Sequence, residues 1–171
     1  MDELDKALGT SSVCLTGPAR GAALEACARQ LAAWQVRMPA VEPLVLDFGL
    51  GDFSRIGLIE YWIANDAAAG YCGKFLFVFD GQTCPKHHHR EKHETFYIVK
   101  GRVLMEYAGE RREMGMGDVL PVACGQAHAF TGIGPALLLE VSKPCVVDDN
   151  YFADPNIPIG GNWVPGKKAG A

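Results

Sequence analysis

The sequence predicts an all-β protein, one antiparallel barrel or sandwich with a single helix in front of it. Three observations carry this. From Leu44 onward, short runs rich in β-branched and aromatic residues follow one another, separated by turns bearing Gly, Asn or Asp. Ahead of them, residues 18–37 are Ala-rich, with apolar residues at helical spacing. The 171 residues suit one domain with a sizeable core.

In chain order, "PARGAALEACARQLAAWQVR" predicts one amphipathic helix whose apolar stripe is Leu24, Ala28, Leu31 and Trp34, stopped near Pro39. The strands expected next are "LVLDF", "IGLIEYWIA", "KFLFVFD", "TFYIVKG", "RVLMEY", "DVLPVA" and "PALLLEVS". The final stretch, rich in Pro and Gly, is expected to be irregular and to wrap the barrel or dock on a second subunit. The chain thus divides into an N-terminal helical extension (1–43), a barrel (44–152) and an irregular tail (153–171). No internal repeat interrupts this order.

Composition narrows the class. Hydrophobic residues make up 49% and charged residues 21%, ordinary values for a globular protein. A net charge of −4 argues against nucleic acid or an anionic membrane as the main partner, and Lys167–Lys168 reads as a solvated end. No apolar run approaches the roughly 20 residues that span a bilayer. The acidic start "MDELDKALGT" is unlike a secretory signal, and six cysteines show neither C-x-x-C nor a dense disulfide spacing. Reduced thiols in a cytoplasmic protein are the expectation.

The chemistry concentrates in "PKHHHREKHE" (85–94). It lies between two apolar runs, so it is no terminal tag. If residues 85–89 end a strand, His87 and His89 point to one face and His88 to the other. H-x-H then offers two ligands from rigid backbone, and a metal needs all its ligands within about 2 Å of one point. Glu94 has the opposite parity, so "REKH" must turn before Glu94 can open the next strand, with Phe96 and Ile98 sharing its inward face. By itself this pattern also describes a solvated polar loop.

Spacing extends it. From Gly81 to Gly101 the chain reads G-x5-H-x-H-x4-E-x6-G, and Gly117-Asp118 through His128 reads G-D-x6-G-x-x-H. These blocks resemble the two cupin motifs, with Ala123 where that family usually has proline and Gly132 where it often has asparagine. The resemblance implies two facing antiparallel sheets, with His87, His89, Glu94 and His128 converging inside one end as metal ligands. Three neutral imidazoles and a carboxylate leave a divalent ion with net charge +1 and, if octahedral, two open positions. Mn(II) is the first expectation; Zn(II), Fe(II), Co(II) and Ni(II) fit the same set.

Three further stretches resemble the D-lyxose isomerase group of cupins. They are "LDFGLGDFSRIGLIEYWIAN" (46–65), "KHHHREKHE" with its lysine two places before the ligand glutamate, and "LLLEVSKPCVVDDNYF" (137–152). Members of that group are longer between the histidine motifs and carry a glycine-rich turn after the ligand glutamate, where this chain has "TFYIVKG". The resemblance implies aldose–ketose interconversion of an open-chain sugar through a metal-chelated cis-enediolate, with a small-molecule sugar as partner and, as is usual for cupins, a homodimer paired through sheet edges. Lys92 and Glu140 are its acid/base candidates. Each has a plainer reading: Lys92 as a solvated lysine in a charged turn, Glu140 as a strand-end carboxylate paired with an arginine. Glu60 and Tyr61 are candidates to line the pocket. His88 and His93 read as non-ligands that can hydrogen-bond behind the ligands, and Trp34, Trp62 and Trp163 as packing. An Fe(II) dioxygenase or a non-catalytic metal- or sugar-binding cupin would use the same ligand set. Lys92, Glu140 and the acidic Asp148–Asp149 favour the polar, sugar-handling reading.

Overall fold

The computed structural model of the chain describes residues 12–164; the "MDELDKALGT" start and Lys167–Lys168 lie outside them. Helix α1 (Gly17–Ala33) carries Pro18 in its first turn, where a missing N–H breaks no helical bond. It stops at Trp34, and Gln35 takes a left-handed φ of 57°, so the helix ends before Pro39 is reached. Among the described residues, no helix is long and apolar enough to cross a membrane. Cys27, Cys72, Cys84, Cys124 and Cys145 are free thiols.

The strands are β1 (Leu44–Leu46), β2 (Leu58–Asp66), β3 (Tyr71–Val78), β4 (Thr83–His88), β5 (Glu94–Lys100), β6 (Arg102–Tyr107), β7 (Glu110–Gly115), β8 (Val119–Val122), β9 (His128–Gly132), β10 (Ala136–Ser142) and β11 (Tyr151–Phe152). They form two antiparallel sheets, β1-β2-β3-β10-β5-β8 and β11-β4-β9-β6-β7. Among the described residues this is the expected all-β architecture with one N-terminal helix. Strands β4, β7, β9 and β11 are absent from the predicted runs, β4 having entered only through the reading of residues 85–89 as a strand end. β7, "ERREMG", lies at a sheet edge and buries only Met114, so it lacks an apolar alternation to read.

The core lies between the sheets, where Leu58, Leu76, Leu138, Phe96 and Ile98 meet Met105, Met114 and Phe130. A second layer joins the outer face of the six-stranded sheet to α1, through Ile59, Tyr61, Phe77 and Leu137. The helix is rotated from its expected stripe. Ala23, Cys27 and Leu31 are buried while Ala28 is exposed. The small side chains of Ala23 and Cys27 let the helix lie close on the sheet, with the Cys27 sulfur 3.6 Å from the Tyr61 hydroxyl.

Two glycines are required by close approach. Gly101 alone joins β5 to β6 with φ 74°, and a Cβ there would sit 2.2 Å from the Pro135 carbonyl oxygen. At Gly132 a Cβ would meet the Phe79 carbonyl at 2.2 Å, which accounts for glycine at this departure from the cupin pattern. After β10 the chain turns through a 3-10 segment (Val147–Asp149), and β11 pairs with β4 beside His87 and His88. Beyond it, Ile157 is buried in the inter-sheet core.

Candidate metal centre

Strand parity places the histidines. His87 points between the sheets from β4, and His128, the first residue of β9, is its direct cross-strand partner. His88 faces outward and stacks on Tyr151, with ring centroids 5.1 Å apart. His93 is exposed. Glu94 opens β5 and shares its buried face with Phe96 and Ile98. The potential ligand atoms of His87, His89, Glu94 and His128 all lie within 4.8 Å of one another. Three of the four residues are essentially sealed: His89 is 2% exposed, Glu94 1% and His128 0%.

Hydrogen bonding fixes the imidazoles. Nδ1 of His87 lies 2.8 Å from the Pro85 carbonyl, that of His89 2.9 Å from Asp149 O, and that of His128 3.1 Å from Gln126 O. A carbonyl only accepts, so each Nδ1 carries a hydrogen, and in the neutral form of such a ring Nε2 is a bare lone pair. Burial, with His128 and His89 alongside, holds His87 well below its ordinary pKa, which keeps it neutral. Yet His128 Nε2 stands 2.8 Å from Glu94 Oε1, and His89 Nε2 stands 3.5 Å from the same oxygen. Those three atoms are buried and without a hydrogen-bond partner. Lone pairs aimed at one another in a sealed site are repulsive unless a cation lies between them. The donor set fits a divalent metal ion.

The turn that brings Glu94 onto the histidine face has an organiser that sequence reading missed. The Asp149 carboxylate accepts the backbone N–H groups of Arg90, Glu91 and Lys92 at 2.8–3.2 Å, while its carbonyl takes the His89 Nδ1 hydrogen. Burial opposes its charge, but these backbone donors hold its carboxyl below the usual range. Asp149 therefore builds the ligand-bearing turn, and its acidity is not available to a sugar. Such supporting partners typically change metal affinity by about 10–100-fold. Asp149→Ala is expected to weaken Mn(II) binding by that factor in isothermal titration, whereas Asp148→Ala, at an exposed neighbour, leaves it unchanged.

Beside the centre runs a buried chain of alternating charge. Lys92 Nζ lies 2.7 Å from Glu94 Oε2 and 2.9 Å from Glu140 Oε1, and its side chain is 3% exposed. This removes the solvated-turn reading of Lys92. Burial disfavours its ammonium, but the Glu140 and Glu94 carboxylates outweigh that and raise its pKa above the ordinary value. Glu140 points inward, and its partners are lysines rather than an arginine. Lys74, which sequence reading did not single out, bridges Glu60 Oε1 at 2.9 Å and Glu140 Oε2 at 3.5 Å. Its parity with Leu76 and Val78 was the available signal.

The cavity adjoining this chain is lined by Glu60, Trp62, Lys74, His87, Lys92 and Glu140, among others. Tyr61, expected as a pocket residue, faces α1 instead, because neighbours on a strand point to opposite sides. Trp62, expected as packing, lines the cavity; its Nε1–H donates to Glu60 Oε2 at 2.9 Å, and the Lys74 ammonium lies 4.7 Å from its ring centroid. Trp34 packs against Phe77, and Trp163 is 41% exposed.

Comparison with known proteins follows the same line. Residues 34–106 match the family described as D-lyxose isomerase, and residues 76–142 match the Cupin domain. The D-lyxose/D-mannose isomerase of Thermosediminibacter oceani is 41% identical over 142 aligned residues, covering 66% of this chain and 77% of that protein. The D-lyxose ketol-isomerase of Cohnella laeviribosi is 30% identical over 143, covering 66% and 76%. The solved L-ribose isomerase of Cellulomonas parahominis superposes with a TM-score of 0.69 at 16% identity, over 84% of this chain and 95% of that one, and shares the fold.

Proposed function

This chain belongs to the D-lyxose isomerase family of cupin proteins, and from that membership we propose that it interconverts an aldose and a ketose at the His87–His89–Glu94–His128 centre. The observation that carries the reading is the buried Glu140–Lys92–Glu94 contact, which sets a proton-carrying pair against the centre. When bound, a divalent ion, for which Mn(II) is our first choice, polarises the carbonyl and the neighbouring hydroxyl of an open-chain sugar and so acidifies the C–H between them.

The remaining work is proton transfer by this chain's own groups. Glu140 takes the proton from C2 of the aldose, leaving an enediolate, and returns it to C1. Lys92, charged at rest between two carboxylates, gives its proton to O1 and takes one back from O2, so it ends the conversion charged again. No proton is lost and no electron leaves the sugar, so the conversion needs no oxidant. Both ammonium groups lining the cavity are already bound to carboxylates, which favours a neutral sugar over a phosphorylated one. D-Lyxose and D-mannose, named for the relatives, are the substrates to assay first.

Under argon, the purified protein is expected to convert D-lyxose to D-xylulose and D-mannose to D-fructose, as read by chromatography of the sugars. A chelator should stop this and Mn(II) restore it. Oxygen uptake coupled to product, with no anaerobic turnover, would assign the centre to a dioxygenase instead.

A further inference from the structure

Lys74 is an ammonium buried to 8% side-chain exposure on a strand whose other inward residues are apolar. Burying an ion pair is costly even when it is well made, and an apolar pair of similar volume is often as stable. The position of Lys74 explains why charge belongs here. On β3 it is the direct cross-strand neighbour of Glu140 on β10 and of Trp62 on β2. Its ammonium meets Glu140 Oε2, while Lys92 and the Ser142 hydroxyl donate to Oε1 at 2.9 and 3.0 Å. Glu60 holds Lys74 from the other side, and Trp62 holds Glu60.

We propose that Lys74 is a positioning residue for the reaction: anchored by Glu60, it grips the second oxygen of Glu140 and fixes the plane of that carboxylate in the cavity. The proposal rests on the reading of Glu140 as the group that carries the carbon-bound proton. With Lys92 and Ser142 on one oxygen only, the carboxylate could swing about that point. With Lys74 on the other, both oxygens are held before the substrate arrives. A misplacement of about 1 Å at a reacting group can cost 10²-fold in rate, so the restraint has a kinetic consequence.

The test is a mutant cycle. Lys74→Met strands the Glu60 carboxylate, so the main variant is Lys74→Met/Glu60→Gln, which removes both charges together; thermal melting and Mn(II) stoichiometry verify the fold and the centre. Its kcat on D-lyxose is expected to fall by about 10–100-fold, with KM changing by less than about threefold. Added to Glu140→Gln, the same pair of changes is expected to cost no further kcat, because residues that act through one group are not additive. Glu60→Gln alone, which loosens the anchor and keeps the lysine, is expected to give a smaller loss. Near-normal kcat in the charge-free pair beside a slow Glu140→Gln overturns the positioning role alone. Losses that multiply in the triple variant overturn it too, giving Lys74 an independent contact with the sugar. A Glu140→Gln enzyme with normal kcat removes the underlying reading and the proposal with it.

Discussion

His128→Ala is expected to lose its metal and its turnover while keeping its fold. The change removes one of the four proposed ligands, whose potential ligand atoms lie within 4.8 Å of one another. The loss of affinity should exceed the roughly 10–100-fold typical of a supporting partner. The β-rich circular dichroism spectrum should persist, since the core contacts of Phe96, Phe130, Ile98 and Met105 do not depend on an imidazole at position 128. A second readout separates binding from activity. An ion that binds only the folded state raises its stability with ion concentration, so the wild-type melting temperature should climb with Mn(II) and that of the variant should stay flat. His88→Ala is the control: its ring stacks on Tyr151 outside the centre, so metal content and the Mn(II)-dependent rise should both survive. Stoichiometric metal in His128→Ala takes that residue out of the ligand set.

The second large effect lies with the proposed proton carriers. Lys92→Ala and Glu140→Gln are each expected to lower kcat by about 10²–10⁴-fold, the usual contribution of a positioned acid or base. KM should change far less, because the groups that hold the sugar oxygens remain. Lys92→Ala also leaves Glu94 Oε2 without its donor, so it is assayed at saturating Mn(II) to keep metal loss out of the comparison. Deuterium wash-in from solvent at C2 of the aldose should slow in parallel with turnover, since both depend on the same proton. If Glu140→Gln is slow and Lys92→Ala is not, Glu140 is the carrier and Lys92 serves only to neutralise it. Near-normal rates in both variants move the search for the base to Glu60, which lines the same cavity.

Much of this was legible in the chain itself. The apolar runs marked most of the barrel strands, and the two-residue period of a strand separated His87 and His89 from His88. Spacing alone required a turn between His89 and Glu94, and the structure has one. These features are local: they depend on residues a few positions apart and on the fixed alternation of side chains. What local pattern could not supply was partners and depth. Asp149 builds the ligand turn from 57–59 positions along the chain, and nothing near it in sequence distinguishes it from the exposed Asp148. Sequence left Lys92 open between an acid/base candidate and a solvated turn residue, and only the fold shows two carboxylates holding it in the interior. Tyr61 and Trp62 exchanged their expected roles because the helix covers the outer face of β2, and only the packed layers decide which face is outer. The same packing rotated α1 onto its small residues. Alternation determines which side chains share a face; tertiary structure determines what that face meets, because the energies of buried charge and close contact depend on neighbours that the chain brings together only when it folds.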